Sequence, residues 1–178
     1  MLHSTALHSL LHGEPYLVGP LVRLNLNQDL LPAPVRDALR ATRIRFPSAN
    51  LFHSIVARAA EIYFALWEAL RIFDQYAVPA APFANIAGRG FGCTEAPRGL
   101  LWHRYQTDDA GIIKAARIVP PTSQNQARIE QDLRLSLETF GLDRSDAELR
   151  LHGETVIRNY DPCISCATHF LKLTVRRA

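Results

Sequence analysis

The sequence predicts a mainly α-helical protein with one small β-hairpin, organised as a single domain over residues 1–178. Apolar residues recur at helical spacing over a long segment that starts at Asn50 and runs to about Tyr76. Two further segments with helix start and stop signals follow after residue 120. Before them, the strand-like segments LLWHRYQ and IIKAARIV flank the turn TDDAG.

Prolines and a good capping residue mark the elements of the N-terminal half. A short helix is predicted from Pro34 to Arg40, after prolines that break the chain into short pieces. The long helix follows, with Asn50 as its N-cap and the prolines of VPAAP as its stop. The helical spacing of its apolar residues indicates an amphipathic helix with one apolar face.

The middle of the chain is rich in glycine. The segment NIAGRGFGCTEAPRG is predicted to be an irregular loop with positive φ values or close backbone approaches, because it has glycines at positions 88, 90, 92 and 99. After the hairpin, PPTSQNQARIEQDLRLSLETFG predicts a helix that Gly141 ends. The residues from Ser145 to Glu148 then fit a capping box for a last helix.

A CxxC motif lies close to the C-terminus. Asp161 and Pro162 are typical of a helix start, with the aspartate as cap and the proline at the first helical position. Cys163 and Cys166 would then share one face of the first turn, where the helix dipole favours thiolates, and His169 would continue the row. Two thiolates and an imidazole suit zinc, iron or nickel better than magnesium or calcium.

Composition limits the classes of function. Hydrophobic residues make up 48% and charged residues 21% of the chain, which is ordinary for a globular protein. No run approaches the ~18 consecutive apolar residues of a membrane span. The net charge of +3 comes from scattered residues, so nucleic-acid binding is not indicated. Three cysteines without a secretory signal favour reduced thiols and a cytoplasmic protein.

The residues alone leave the use of the CxxC motif open. A thioredoxin-like role needs a long helix after the motif, and only twelve residues follow Cys166. A structural zinc site needs four ligands, which Cys93 could complete as a Cys₃His set, although a small buried residue is the interpretation we favour for Cys93. Arg98, considered without further information, indicates an ion pair with Glu95 that fixes its loop.

Five blocks of sequence resemble one known family. RNYDPCISCATH resembles the C-terminal nickel-binding signature of the nickel–iron hydrogenase large subunit. TEAPRGLLWHRY and IVPPTSQNQARIE are similar to two further blocks of that family, and PYLVGPLVRLNLN and NLFHSIVARAAEI are similar to its soluble, cofactor-reducing branch. The blocks occur in the family order and cover nearly the whole chain. The resemblance implies the helical fold of the C-terminal portion of a hydrogenase large subunit.

The resemblance also implies a chemistry, the reaction H₂ ⇌ 2H⁺ + 2e⁻. In the family, four cysteine thiolates hold nickel, and two of them bridge to an iron that carries CO and cyanide. By position, Cys163 and Cys166 correspond to the second cysteine pair, with Cys166 as the bridging thiolate and Cys163 as a terminal thiolate that could take a proton. His169 corresponds to the ligand of a separate magnesium or iron ion.

Further positions match the pocket around the metals. Arg98 corresponds to the arginine above the open metal site, where it serves proton or dihydrogen handling and hydrogen-bonds a cyanide. Pro97 and Asp161 correspond to the pocket wall, and Thr122 corresponds to the hydroxyl residue that faces a cyanide.

One departure of the sequence from the family concerns the first half of the metal site. The family's first CxxC and its proton-gating glutamate precede the region matched here, and no cysteine precedes Cys93. We therefore expect a truncated or split subunit that supplies half of the thiolates, is inactive alone and exposes apolar helix faces. The expected partners are an iron–sulfur small subunit, a chain with the N-terminal half, and nicotinamide-reducing subunits. The second hypothesis is a non-catalytic protein that holds one zinc or nickel ion.

Overall fold

The computed structural model describes residues 8–78 and 87–163. These residues form five α-helices and one three-stranded sheet, which confirms the predicted mainly helical class. In chain order the elements are α1 (Pro20–Asn27), α2 (Ala33–Ala41), α3 (Ser54–Gln75), β1 (Gly88–Ala96), β2 (Gly99–Thr107), β3 (Ile113–Val119), α4 (Pro121–Phe140) and α5 (Asp146–Arg158). Short 3₁₀ turns precede α2 and α3, at Gln28–Leu30 and Leu51–His53.

Local signals set several helix ends as predicted. The Ser145 hydroxyl accepts the Glu148 N–H, and the Glu148 carboxylate accepts the Ser145 N–H, so the capping box of α5 is present. α4 ends at Gly141, whose φ of 103° favours glycine. Asn50 caps the 3₁₀ turn that leads into α3 rather than α3 itself, since its side chain accepts the N–H of Phe52.

The sheet is antiparallel in the order β1–β2–β3. The predicted hairpin is β2–β3, and in its turn the Asp108 carboxylate accepts the N–H groups of Ala110 and Ile112. The loop prediction for the glycine-rich segment was wrong, because Gly88–Ala96 pairs with β2 along its whole length. Backbone hydrogen bonds to a neighbouring strand can hold a glycine-rich edge strand that has few side chains to pack.

The core lies where the first half of α3 meets α1 and α2. Its buried residues are Leu24, Val35, Leu39, Ala57 and Ala60. Five apolar side chains of α3 are exposed by 58–80%, as predicted from the sequence; they are Ile55, Ile62, Leu66, Leu70 and Phe73. α3 therefore packs through small residues near its start and presents an apolar stripe to solvent. Within residues 8–78 and 87–163, no helix combines the length and the apolar character that crossing a membrane requires.

Candidate functional site

The turn between β1 and β2 meets the end of α5. Pro97 and Arg98 form this turn, and Arg98 Nε donates to the backbone carbonyl oxygen of Asp161 at 2.7 Å. The Asp161 carboxylate lies 3.5 Å from the same nitrogen. Two predicted site residues are thus in direct contact, and Cys163 follows two residues later.

Asp161 does not have the backbone conformation of a helix N-cap. Its φ is 48°, in the left-handed region, whereas an N-cap residue is normally extended. Hydrogen bonds of the Tyr160 and Asp161 N–H groups to the last turn of α5 continue that helix into a tight bend. The expected cap geometry at Asp161 was therefore wrong; Pro162 and Cys163 are not helical, and the rest of the predicted helix lies outside the described residues.

The predicted row of ligands is described only at its first member. Cys163 is half-buried, and Cys166 and His169 lie outside the described residues. Across residues 8–78 and 87–163, no three His, Cys, Asp or Glu side chains converge to hold a metal ion. Cys93 is exposed, so its interpretation as a buried residue was wrong; the physical reason is that β1 is an edge strand with solvent-exposed side chains.

Arg23 in α1 anchors the strand that leads into the turn. Its Nε and Nη2 donate to the Glu61 carboxylate at 2.6 and 2.7 Å, and its Nη1 donates to Glu95 at 2.6 Å. The Arg98–Glu95 pair indicated by the residues alone was therefore wrong. Arg23 meets the Glu95 carboxylate from across the fold, and Arg98 turns to Asp161.

The same guanidinium also holds the backbone before Arg98. Arg23 Nη1 donates to the Ala96 carbonyl at 2.9 Å and Nη2 to the Pro97 carbonyl at 3.2 Å. Burial opposes the charge of Arg23, but the hydrogen bonds and charges of Glu61 and Glu95 outweigh it and raise its pKa. Sequence reasoning missed this residue, because nothing near Arg23 in the chain indicates a partner 72 residues away.

The segment around Val18 packs directly on the backbone of the turn. A Cβ on Gly99 would lie 2.5 Å from Val18 Cγ2, and one on Gly19 would lie 2.9 Å from the Arg98 carbonyl oxygen. Asn125 holds this segment, since its Oδ1 accepts the Val18 N–H at 2.8 Å and its Nδ2 donates to the Val18 carbonyl at 3.1 Å. The close backbone approach predicted for the glycine-rich segment is confirmed at Gly99.

The start of α4 buries polar side chains next to this contact. They are Thr122, Ser123, Gln124 and Asn125, each exposed by 7% or less. The Gln124 amide donates to the carbonyl of Leu100 in β2 and to that of Val119 at 3.3 Å. Thr122 therefore lies in a buried polar turn attached to the sheet; its role toward a cyanide ligand stays a prediction.

A small cavity lies beside Arg98, and a second arginine, Arg58, also lines it. Asn159 and Tyr160 are part of the same lining, and Ser54 Oγ donates to the Asn159 carbonyl at 3.0 Å, which ties α3 to the end of α5. Arg58 Nε is buried and has no hydrogen-bond acceptor in the part of the chain that the structure describes. The positive charges of Arg58 and Arg98 at one cavity suit a group with anionic ligands.

Tyr160 fixes the chain three residues before Cys163. Its side chain is 5% exposed, and its hydroxyl donates to the carboxylate of Asp132. Arg128 pairs with the other oxygen of Asp132 at 2.9 Å. Burial and then the hydrogen bond to Asp132 raise the pKa of Tyr160 well above its usual value, so the phenol remains a hydrogen-bond donor into the alkaline range.

Comparison with known proteins identifies the family of this chain. The family model for nickel-dependent hydrogenases matches residues 21–169. The sulfhydrogenase 1 subunit alpha of Pyrococcus furiosus is 33% identical over 176 residues, which are 96% of this chain and 41% of that subunit. The NAD-reducing hydrogenase HoxS subunit beta of Cupriavidus necator is 35% identical over 167 residues, which are 86% of this chain and 34% of that subunit.

A solved structure shares the fold. A chain of the NAD⁺-reducing [NiFe]-hydrogenase in the H₂-reduced state aligns with a TM-score of 0.63 and 30% identity, over 88% of this chain and 36% of that chain. This chain belongs to the nickel-dependent hydrogenase family. It spans 41% and 42% of the length of two alpha subunits that it matches.

Proposed function

We propose that this chain is part of a hydrogenase large subunit and supplies two thiolates, Cys163 and Cys166, to a nickel–iron centre for H₂ ⇌ 2H⁺ + 2e⁻. Family membership supports the class of metal centre. The observation that carries the proposal for this chain is the contact of Arg98 with Asp161, which brings a guanidinium to the segment that enters the CxxC motif.

The residues of this chain suit such a centre chemically. Soft thiolates favour nickel and iron over magnesium and calcium. The bound centre supplies Lewis-acid polarisation of dihydrogen. Arg98 provides a fixed positive charge and hydrogen-bond donors for a cyanide on iron, and Cys163 holds the proton as a terminal thiol. Pro97 and Asp161 form the proposed pocket wall, and the hydroxyl of Thr122 is proposed to face a cyanide ligand.

Two further assignments complete the proposed centre. His169 is proposed to bind a separate magnesium or iron ion; its imidazole nitrogen suits iron, whereas magnesium would take most of its ligands from oxygen atoms. CO and cyanide are the proposed ligands of the iron in the nickel–iron centre. Arg58 and Arg98 line one small cavity, and their positive charges support a group with anionic ligands at this place.

The remaining two thiolates of the centre are proposed to come from outside these 178 residues. The chain has three cysteines, and Cys93 is exposed on β1. The apolar stripe of α3 supports the presence of a covering polypeptide, since leaving apolar surface in water costs about 25 cal/mol per Å². We propose that this stripe packs against the large-subunit portion that the longer relatives have in addition.

The name of one relative supports a proposal for the partners of this chain. One relative is named as a subunit of an NAD-reducing hydrogenase. We propose that this chain works with an iron–sulfur small subunit and with subunits that reduce a nicotinamide, and that the assembly is cytoplasmic. Electrons from dihydrogen would then leave through the small subunit.

Metal analysis of cysteine variants tests the proposed function. Cys163→Ser and Cys166→Ser should each remove most of the nickel from the assembled protein, because a hydroxyl is a hard and weakly acidic ligand. Cys93→Ser is the matched control and should retain nickel and hydrogen-dependent dye reduction. Equal loss of metal in all three variants would instead support a mononuclear Cys₃His site.

A further inference from the structure

A basic cleft lies between the end of α2 and the chain that follows it. Its volume is about 530 Å³, and four arginines line it: Arg36, Arg40, Arg43 and Arg45. One acidic residue, Asp29, is part of the same lining. None of these residues belongs to the candidate metal site, so this surface carries a charge pattern that the proposed function does not use.

Local hydrogen bonds fix the walls of the cleft. Arg36 Nη1 donates to the Asp29 carbonyl at 3.1 Å, and Gln28 Nε2 donates to the Phe46 carbonyl at 3.2 Å. The Thr42 hydroxyl donates to a carbonyl of α2 at 2.7 Å. The 3₁₀ turn, α2 and the following segment are thus held together, and a ligand would meet a preformed shape, which reduces the entropy cost of binding.

The cleft contains more arginines than the ion pairs and the helix dipole of this region account for. Arg40 lies in the last turn of α2, where one cation offsets the negative end of the helix dipole, and it also pairs with Asp37. Among residues 8–78 and 87–163, Arg43 and Arg45 have no carboxylate partner within ion-pair distance. Arg36 Nη1 donates to the Asp29 carbonyl, so the charges of Arg43 and Arg45 are the ones in the cleft lining that the described fold leaves without a partner.

We propose that this cleft binds a small molecule that carries a di- or triphosphate group. Guanidinium groups form bidentate, charge-assisted hydrogen bonds with phosphate oxygens, and the volume falls within the range of small-molecule sites. Leu39, Ile44 and Phe46 also line the cleft. They give the organic part of such a molecule an apolar wall beside the phosphates.

Calorimetric titration of the full chain with inorganic pyrophosphate tests this proposal. We expect one saturable site per chain, and Arg43→Gln and Arg45→Gln should each weaken its affinity by about tenfold, the effect of losing a charge-assisted hydrogen bond. Arg150→Gln, an exposed arginine of α5 outside the cleft, should leave the affinity unchanged.

Two results would overturn the proposal. The first is binding that does not saturate at one equivalent or that Arg150→Gln weakens as much as Arg45→Gln, because this would indicate general attraction to a basic surface. The second is tighter binding of a short polyglutamate peptide than of pyrophosphate, which would assign the cleft to an acidic protein partner. Circular dichroism of each variant checks the fold. The test measures ligand affinity alone, so its outcome is independent of hydrogenase activity.

Discussion

Arg98 Nε lies 2.7 Å from the backbone carbonyl oxygen of Asp161, so a side chain of the β1–β2 turn binds the main chain that leads into Cys163. A backbone acceptor is present whatever side chain stands at position 161. The contact therefore depends on the guanidinium, whose planar fork can hold a carbonyl through Nε and keep its remaining donors for another group.

Replacing Arg98 by lysine should separate charge from geometry. We expect Arg98→Lys to lower hydrogen-dependent dye reduction by the assembled enzyme by about 10²-fold or more, because a preorganised donor at the reacting centre is lost, while nickel content stays near that of the wild type. The control is Arg117→Lys, an exposed arginine of β3. Loss of nickel in parallel with activity would show instead that Arg98 only holds the fold.

The Arg23 anchor should matter for stability. Arg23→Gln leaves Glu61 with an unpaired and partly buried carboxylate, whose side chain is 26% exposed, so we expect a loss of about 2 kcal/mol in the free energy of unfolding. Urea denaturation measures it. The control Arg134→Gln breaks an exposed ion pair with Glu138 and should lower the free energy of unfolding by less than about 0.5 kcal/mol. Equal losses of stability in the two variants would contradict the proposed role of Arg23 as an anchor.

Two glycines of the same segment should respond differently to alanine. A Cβ on Gly99 would lie 2.5 Å from Val18, and its φ is 138°, so Gly99→Ala should destabilise the chain by about 2 kcal/mol. A Cβ on Gly90 would meet nothing within 4 Å, so Gly90→Ala should change stability by less than about 1 kcal/mol. Thermal unfolding of both variants provides the comparison, and a reversed order would contradict the packing of Val18 on the turn.

The Tyr160 network predicts a loss of stability at alkaline pH. The unfolded chain loses the phenol proton above its usual pKa of about 10, whereas the folded chain keeps it because burial and Asp132 raise the pKa. The unfolded state then binds fewer protons, so the free energy of unfolding should fall by about 1.4 kcal/mol per pH unit above pH ~10 from this group. Tyr160→Phe should remove that part of the slope in denaturant titrations, and an unchanged slope would contradict the raised pKa.

Signals confined to a few neighbouring residues were predictable from the sequence. The capping box from Ser145 to Glu148 and the end of α4 at Gly141 involve only residues within one turn, so their chemistry is visible in the chain itself. The β2–β3 hairpin has the same local character. The family blocks also indicated Arg98 and Asp161, although the contact between them joins residues 63 positions apart.

Features that depend on distant partners were missed. β1 contains three glycines and was predicted as a loop, because its strand conformation comes from pairing with β2 rather than from its own side chains. Arg23 gave no signal, since Glu61 and Glu95 reach it only in the folded chain. The buried face of α3 is formed by Ser54, Ala57 and Ala60, and small residues of this kind do not stand out in an apolar pattern.

Infrared spectroscopy combined with metal analysis tests the central claim most directly. The claim is that Cys163 and Cys166 are two of the four thiolates of a nickel–iron centre. The 178-residue chain produced with the remaining large-subunit portion should contain nickel and iron and show the stretching bands of bound CO and cyanide, and the chain by itself should show neither. The bands should disappear in Cys166→Ser and persist in Cys93→Ser. One equivalent of zinc without these bands, lost when Cys93 is replaced, would contradict the account.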